Sequence, residues 1–339
     1  MLNAIVRWAP WLAVAIVFAL AWPHRDDTAH WVAVSKTPRP LASVATWRYQ
    51  LDKYDLEALA TDTSDLLVID FAKREGKVQF SRQDIERLKV RPDGSRRFVV
   101  AYMSVGESEE FRFYWNAAWN APAKEPLPSW IGEENCAWPK AHRVRYWDDG
   151  WKSINIRSAG SYLKRIIAAG FDGVYLDRVD IYETFENERP TARAEMIAHV
   201  VEIAKTARRY RPGFFVIPQN GEALLESDDY RRVIDGLGKE SLLHGASATG
   251  VRNAETDIAW SLSMLKKLMY EGKPVFTVEY LVTPEHINTA AIELRRRGFV
   301  PAFEPRALDG SDPTLPVDLS SEIGTPERTT KECPPGTAW

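Results

Sequence analysis

The run Gly173-Val-Tyr-Leu-Asp177 is a short apolar stretch that ends on an acidic residue, and stretches of this kind recur along the chain. Their apolar residues do not alternate strictly with polar ones, which is typical of strands buried on both faces, as in a parallel sheet. Between them, apolar residues recur at helical spacing, most clearly in 162–169, 192–210 and 257–270. We predict eight strands, at residues 44–50, 66–70, 98–104, 173–177, 214–220, 233–240, 275–279 and 298–304.

This alternation of strands and helices predicts an α/β fold. Eight strands with intervening helices in roughly 260 residues match the usual size of a (β/α)8 TIM barrel. A doubly wound open sheet is the alternative, but no G-x-G-x-x-G follows the first strand, which weakens it. We therefore predict one barrel domain over residues 44–309, after a linker at 24–43 and before an irregular C-terminal tail at 310–339. No helix is visible after the eighth strand.

Composition excludes several classes of protein. The 339 residues carry 44 basic and 47 acidic side chains, a formal charge of −3, which argues against a nucleic-acid partner bound through bulk positive charge. Two cysteines are too few for a disulfide scaffold or a zinc ribbon, and the six histidines form no H-E-x-x-H motif. Of 13 tryptophans, several cluster in residues 115–151, either as core filler or as a stacking surface.

The N-terminus has the pattern of an export signal. Arg7 is the only charge before an apolar run over residues 8–23, and Ala19-Leu20-Ala21 has the A-x-A form of a cleavage site. We predict a signal peptide at residues 1–23 and an exported protein, whether periplasmic, extracellular or membrane-anchored. The alternative is an uncleaved anchor that tethers the protein to a membrane through residues 4–23. Export would also permit a disulfide between Cys136 and Cys333.

Acidic residues stand at or just after many of the predicted strands. In a barrel of this kind the active site forms at the carboxyl ends of the strands, and isolated buried charges are too costly to serve as filler. We therefore predict a polar cleft in which two acids perform acid/base or nucleophilic work. For any single acid the alternative is a structural partner for a basic side chain such as Arg178 or Lys239. The acids are Asp70, Glu107, Asp177, Glu222, Glu240 and Glu279.

Other chemistries find less support. No P-loop and no G-x-S-x-G are present, and His244 and His286 are more typical of surface or cleft residues than of metal ligands. We predict no metal site and no cofactor, although several acids together could hold Mg²⁺ or Ca²⁺. Acids combined with many aromatic residues indicate sugar chemistry, because aromatic faces pack on pyranose rings and carboxylates bind hydroxyls.

Several segments together resemble the family-114 glycoside hydrolases, the endo-α-1,4-polygalactosaminidase-like group. The resemblance covers approximately residues 44–309 and implies a TIM barrel, secretion, and internal cleavage of galactosamine-rich polysaccharide. It also implies that the nucleophile is the acid ending the fourth strand, here Asp177, and that the acid/base ends the sixth, here Glu240. The segments are Ala101-Tyr-Met-Ser-Val-Gly-Glu-Ser108, Phe111-Arg-Phe-Tyr-Trp115, Val144-Arg-Tyr-Trp-Asp148, Gly170-Phe-Asp-Gly-Val-Tyr-Leu-Asp-Arg178, Ile217-Pro-Gln-Asn-Gly-Glu222, Gly238-Lys-Glu-Ser241 and Val278-Glu-Tyr280.

We therefore predict a secreted, retaining, endo-acting glycoside hydrolase with a polysaccharide substrate. Core packing is the alternative for Trp147, and Glu222 is the substitute acid/base if Glu240 points away. A non-catalytic glycan-binding barrel in polysaccharide export or attachment is the alternative function. A polysaccharide deacetylase would need a His/Asp metal set that the sequence lacks. The predicted substrate-binding residues are Asp70, Tyr102, Glu107, Trp147, Asp148, Asn220, Glu222, Glu279 and Tyr280.

Overall fold

The computed structural model describes residues 40–73, 78–120, 126–247 and 250–312. The predicted signal or anchor at residues 1–23, most of the linker, Cys333 and the tail beyond residue 312 lie outside these ranges, so the predictions made for them stay predictions. Within the described ranges, no helix is both long enough and apolar enough to cross a bilayer.

Parallel strands form the centre of the described structure, and eight of them correspond to the eight predicted ones. We number these β1 to β8. Strands β1 to β5 form one parallel sheet in chain order, and β6 to β8 form a second. Their bounds are Trp47–Gln50, Leu66–Asp70, Phe98–Ser104, Gly173–Asp177, Phe215–Pro218, Leu237–Glu240, Val275–Glu279 and Val300–Phe303.

Contacts link the two sheets at both junctions. An isolated parallel bridge pairs Gln219 with Gly238, beside β5 and β6. At the other junction the indole N–H of Trp47 in β1 donates to the carbonyl oxygen of Val300 in β8 at 2.9 Å. The structure thus confirms an α/β fold with a parallel central sheet.

Helices occupy every connection between successive parallel strands, as the periodicity predicts. Ser81 caps the helix Arg82–Leu88 and forms a reciprocal capping box with Asp84. Pro284 stands in the first turn of the helix Pro284–Arg296. Gly170, with a φ of 96°, ends the helix Tyr162–Ala169. The helices α1 to α8 are Leu56–Thr61, Arg82–Leu88, Asp149–Lys152, Tyr162–Ala169, Ala192–Tyr210, Asp228–Val233, Glu255–Tyr270 and Pro284–Arg296. Helical turns of other types are Pro40–Ser43, Ala117–Asn120, Ser153–Arg157, Val179–Thr184 and Glu222–Glu226.

The sixth strand begins later than predicted. Residue Val233 closes α6 and is not part of β6, which starts at Leu237. The local reason is a helix start: the hydroxyl of Ser227 accepts from the backbone N–H of Tyr230, and two acids occupy the first turn. The apolar residues at the end of α6 and those at the start of β6 are close in the sequence, so together they resemble a single strand.

Alternation along each strand separates two apolar clusters. Residues such as Val174 and Leu176 pack outward among the helices, whereas Tyr175, between them, packs inward. We call the second set the inner cluster. Position within a strand therefore decides whether a side chain faces the helices or the interior. The inner cluster contains Leu41, Val44, Trp47, Tyr49, Leu66, Val68, Val100, Tyr102, Tyr175, Phe215, Ile217, Phe276, Val278, Tyr280, Ala302 and Leu308.

A small antiparallel sheet is inserted after β3. Its strands are Glu107–Glu109, Ala141–Val144 and Ile131–Glu134, with Ala141–Val144 in the middle. A second antiparallel pair, Ala72–Lys73 with Val78–Gln79, follows β2. Both insertions follow the carboxyl ends of their strands, on the side of the sheet where an active site is expected.

The tryptophan cluster of residues 115–151 is mostly core. Trp151 is fully buried and its indole N–H donates to the carbonyl oxygen of Val105, while Trp130 packs on it with ring centroids 5.1 Å apart. Trp115 and Trp119 are partly buried against the same core. Core filler is therefore the better interpretation for these residues, and losing a ring such as that of Trp151 typically costs about 3–5 kcal/mol.

Candidate active site

Four side chains at the ends of β4 to β7 lie together at the carboxyl-end side of the interior. Each follows an inward-facing position by two residues, because side chains alternate along a strand. The inward-facing position in β6 is a glycine, since a Cβ there would lie 1.9 Å from the Tyr175 hydroxyl. The four residues are Asp177 after Tyr175, Gln219 after Ile217, Glu240 after Gly238, and Tyr280 after Val278.

The chain turns sharply directly after three of these residues. Arg178, Asn220 and Ser241 have φ values of 62°, 57° and 50°, in the left-handed region that residues other than glycine rarely adopt. Such conformations cost about 1–3 kcal/mol each and are maintained only where the surrounding structure enforces them. These turns take the chain out of the sheet, so that the preceding side chain is presented at the strand end.

The carboxylate of Asp177 accepts three hydrogen bonds. The hydroxyl of Tyr102 donates to Oδ2 at 2.6 Å, the amide of Gln219 donates to Oδ1 at 3.1 Å, and the backbone N–H of Arg178 donates to Oδ1 at 2.8 Å. All three donors stabilise the ionised form of the carboxyl group. Asp177 is thus held in one orientation while remaining partly exposed.

The carboxylate of Glu240 is held in a similar way. Its Oε1 accepts a hydrogen bond from the Tyr280 hydroxyl, and its Oε2 accepts from Gln219 at 2.5 Å and from Asn220 at 3.2 Å. Asn220 in turn accepts from the backbone N–H of Glu240 at 3.1 Å. The structure therefore brings the predicted residues Asp177, Glu240, Tyr102, Asn220 and Tyr280 together.

The two carboxyl groups are close neighbours. Oδ1 of Asp177 lies 3.1 Å from the amide nitrogen of Gln219, and Oε2 of Glu240 lies 2.5 Å from the same nitrogen. The distance between these two oxygens therefore cannot exceed the sum of those distances. That limit falls near the spacing of about 5–5.5 Å found in retaining glycosidases and below the spacing of about 6.5–9.5 Å found in inverting ones.

Proximity and burial alter the acidity of this pair. Burial, reinforced by the charge of Glu240, raises the pKa of Asp177 from 3.8 to about 7. Burial and the adjacent carboxylates also raise the pKa of Tyr102 and the pKa of Tyr280, so both hydroxyls remain donors at neutral pH. The carboxyl group of Asp177 consequently titrates near neutral pH.

Glu107 lies beside this pair but is not open to a ligand. Its Oε1 accepts from the Asn135 amide at 2.8 Å and lies 3.3 Å from Nε of Arg178. The side chain is buried against Arg178, and the predicted role of Glu107 in binding substrate stays a prediction. Close packing enforces this arrangement, since a Cβ at Gly106 would lie 2.2 Å from the carbonyl oxygen of Arg178.

Asp70 also faces the interior, but a buried cation neutralises it. Nη1 of Arg112 donates to Oδ1 of Asp70 at 2.7 Å, and Nε of the same guanidinium donates to Glu109 at 2.6 Å. The guanidinium carbon of Arg112 lies 5.8 Å from the ring centroid of Tyr102. Asp70 is therefore part of a buried ion cluster behind Tyr102, and its predicted role in binding substrate stays a prediction.

The predicted placement of Glu279 is also corrected. Tyr280 belongs to the inner cluster, so the preceding residue faces the helices. Glu279 is completely buried, and its two oxygens accept the backbone N–H groups of Leu243 and His244 at 2.8 Å and 3.0 Å. Its function is to hold the loop that follows β6.

Glu222 is paired on the outer side of the sheet. Its Oε1 lies 3.0 Å from the ammonium of Lys239 and accepts the Ser261 hydroxyl at 2.7 Å. Although burial opposes it, the Lys239 charge lowers the pKa of Glu222. Glu222 is thus a structural ion partner, which removes it as the substitute for Glu240.

We expect Glu222→Ala to destabilise the protein by about 3 kcal/mol, because it leaves the largely buried Lys239 ammonium unpaired. Activity per folded molecule should remain close to that of the wild type. Glu226→Ala, in the same helical turn, is the matched control, since Glu226 is exposed and its pair with Arg193 is long at 3.6 Å. Thermal unfolding measures the first effect. An inactive but stable Glu222→Ala variant beside a nearly normal Glu240→Ala variant would reverse the acid/base assignment.

Trp147 and Asp148 lie on the loop before α3. Trp147 is partly buried, packs edge to face on Phe185, and is covered by the guanidinium of Arg189 at 4.6 Å from a ring centroid. Asp148 is the N-cap of α3, where it accepts the backbone N–H of Gly150 at 2.7 Å. Local packing and helix capping account for these contacts. The predicted role of Trp147 and Asp148 in binding substrate stays a prediction.

Sequence reasoning missed Gln219 as a site residue. Its position two residues beyond Ile217 was readable from the alternation of β5, but the end of this strand was assigned to Asn220 and Glu222 instead. It also missed Arg306, whose guanidinium lies 4.7 Å from the ring centroid of Tyr280. Nothing in its local sequence marks Arg306, because only the fold brings it beside β7.

Across the parts of the chain that the structure describes, no three His, Cys, Asp or Glu side chains are gathered as a metal-binding set. The paired acids are instead surrounded by hydroxyl and amide donors. Two adjacent carboxyl groups at the strand ends of a parallel α/β fold, one of them with its pKa raised to about 7, are the arrangement of a glycoside hydrolase.

The chain belongs to glycoside-hydrolase family GH114, whose sequence model matches residues 27–316. It is 36% identical over 281 residues to an uncharacterized protein of Deinococcus radiodurans, covering 81% of this chain and 84% of that one. It is 38% identical over 283 residues to an uncharacterized protein of Methanocaldococcus jannaschii, covering 78% and 77%. These comparisons confirm the family resemblance found in the sequence.

Among solved structures, the chain is similar in fold to the glycoside hydrolase domain of PelA from Pseudomonas aeruginosa. The TM-score is 0.59 at 22% sequence identity, over 79% of this chain and 97% of that domain.

Proposed function

We propose that this protein is an exported, retaining glycoside hydrolase that cleaves α-linked, galactosamine-rich polysaccharide at internal linkages. One observation carries the mechanism: a single amide group, that of Gln219, donates to both Asp177 and Glu240. The spacing this imposes is close to that of retaining glycosidases and suits nucleophilic attack by one acid. The contacts between β1 and β8 support closure of the sheet into a (β/α)8 barrel.

In the first step the ionised Asp177 attacks the anomeric carbon while Glu240 donates its proton to the departing glycosidic oxygen. The C–O bond to the leaving chain breaks as a covalent ester forms with Asp177. In the second step Glu240 removes a proton from water, which attacks the same carbon and releases Asp177. The two inversions leave the anomeric configuration unchanged.

The surroundings of the pair support this division of roles. Burial and the Glu240 charge raise the pKa of Asp177, and the nearby Arg178 charge opposes that rise. The backbone N–H of Arg178 also favours the ionised form of Asp177. The mechanism needs Asp177 ionised when it attacks, and needs Glu240 to supply the proton of the leaving oxygen.

The family and the acidic site together support the substrate class. The chain belongs to a glycoside-hydrolase family, and the sequence motifs resemble its polygalactosaminidase-like group. Amino groups that are free on such a polymer are cationic at neutral pH and are attracted to a site that contains Asp177, Asp180 and Glu240. A non-catalytic glycan-binding barrel has no need of two adjacent acids joined through one amide, so the geometry favours the enzyme.

The test of this function is release of reducing ends from amino-sugar polymers, including galactosaminogalactan-like material. Wild-type protein should release oligosaccharides, and Asp177→Asn should not. Proton NMR during the first minutes should show products with the anomeric configuration of the substrate. Products of inverted configuration would exclude Asp177 as nucleophile, and tight binding without cleavage by the wild type would favour the glycan-binding alternative.

Raising the ionic strength should weaken substrate binding if the enzyme recognises free amino groups. We expect KM to rise severalfold between low salt and 0.5 M NaCl, because screening shortens the reach of the carboxylate charges to a few ångström, about 4–5 Å. The matched control is the N-acetylated polymer, which carries no such charge and should show little change in KM. A salt-independent KM for the free-amine polymer would contradict recognition through charge.

A further inference from the structure

We propose that Gln219 is a positioning residue that keeps the two carboxyl groups of the active site chemically distinct. The inference rests on the proposed function and adds to it a role for a side chain that touches both acids. Its amide stands between Asp177 and Glu240 and donates one hydrogen bond to each.

The orientation of this amide is determined by its neighbours. If the oxygen and nitrogen were exchanged, the carbonyl oxygen of Gln219 would face two carboxylate oxygens without a proton between them. With the nitrogen toward the acids, both of its N–H bonds are used. Asp177 Oδ1 and Glu240 Oε2 are therefore both acceptors of the same group.

The carbonyl oxygen at the other end of the Gln219 amide is an unsatisfied hydrogen-bond acceptor. Oε1 of Gln219 is buried and has no hydrogen-bond partner among the described residues. A buried acceptor of this kind costs about 1–3 kcal/mol, so a glutamine selected for stability alone would be expected to satisfy both ends. The conformation is explained by the two carboxylates and not by local packing.

This arrangement controls where the shared proton can reside. When two acids touch directly, one proton lies between them and the acids act as a unit. Here the facing oxygens are occupied by Gln219, so a proton on Glu240 must lie on Oε1, beside Tyr280, and a proton on Asp177 must lie on Oδ2, beside Tyr102. Glu240 can thus be the acid while Asp177 remains the nucleophile.

Removing the two donors should make the pair harder to ionise. Hydrogen bonds to a carboxylate favour its charged form, so their loss raises the pH at which the pair gives up its last proton. Other charged and titratable groups that face the pair stay in place. They are Tyr49 from β1, Tyr102 from β3, Tyr175 from β4, Arg178 and Asp180 after β4, Tyr280 from β7, and Arg306, which covers Tyr280.

The experiment compares Gln219→Leu and Gln219→Glu with the wild type. Gln219→Glu preserves the shape of the side chain but replaces the amide with a third carboxyl group, whereas Gln219→Leu removes the two donors without adding a charge. Gln79→Leu, at an exposed glutamine whose amide donates to a backbone carbonyl, is the control. The first measurement is titration of the Asp177 carboxyl carbon by ¹³C NMR in the full, unliganded protein, with circular dichroism to verify folding.

Both Gln219 variants should titrate about one pH unit or more above the wild type, and Gln79→Leu should not change. The alkaline limb of the pH–activity profile should move in the same direction, and kcat should fall at least tenfold while KM changes little. Unchanged titration in folded Gln219→Leu and Gln219→Glu would overturn the proposal. A shifted titration in a protein that cleaves none of the polymers would instead contradict the proposed function and leave the positioning role intact.

Discussion

Replacing Asp177 with Asn should lower the hydrolytic rate by about four orders of magnitude or more and, above neutral pH, make the protein more stable. The loss of rate follows from removal of the nucleophile. The gain in stability follows from the position of Asp177, because burial and the nearby Glu240 charge oppose its ionisation. An essential residue that destabilises the fold is common at active sites.

The pH dependence of this gain has a definite sign. The pKa of Asp177 is about 7 in the folded protein and 3.8 when exposed, so the folded state binds a proton more tightly between those values. Wild-type stability therefore falls as pH rises from about 4 to about 7, by up to about 4 kcal/mol for this group, and Asp177→Asn lacks that loss. Melting temperatures of both proteins at pH 4.5 and pH 8 test this. A difference that does not grow with pH would contradict it.

Glu304→Gln is the matched control for this experiment. Burial raises the pKa of Glu304 to about 7 as well, and its carboxylate accepts the backbone N–H of Tyr49 at 3.2 Å. Its replacement should also increase stability above pH 7, for the same reason, while hydrolysis continues. The two variants therefore separate relief of a buried charge from loss of the nucleophile.

Replacing Glu240 with Gln should produce a different kinetic defect. On polysaccharide, loss of the proton donor should reduce the rate by about 10²–10⁴-fold. Substrates with a good leaving group, such as an aryl glycoside, need little protonation and should still form the covalent ester with Asp177. Added azide should then restore turnover and yield a glycosyl azide of retained configuration, because azide needs no general base.

Leaving-group dependence and azide rescue distinguish the two acids. Asp177→Asn should be rescued, if at all, to a product of inverted configuration, because azide then attacks the substrate directly. If Glu240→Gln gave the inverted azide and Asp177→Asn the retained one, the two roles would be exchanged. Mass spectrometry and NMR of the products record which configuration forms.

Much of the fold was predictable because its signals are local. Apolar runs ending on polar residues correctly located the parallel strands and placed Asp177 and Glu240 among six acids near strand ends, from which the family resemblance selected these two. The rule that a strand-end acid belongs to the site failed at Glu279, because it ignored which face of β7 that residue occupies. Counting in steps of two from Phe276 would have placed Tyr280 inside and Glu279 outside.

The sequence by itself determined the α/β class, the strand ends and the family, since periodicity and short motifs depend on neighbouring residues. Only the tertiary structure decided which acids are free to react. Asp70 is neutralised by Arg112, 42 residues away, and Glu222 by Lys239 across adjacent elements. Asp177 and Glu240 are left partly exposed and joined through Gln219. Burial and pairing depend on contacts between distant segments, and no local pattern in the chain contains them.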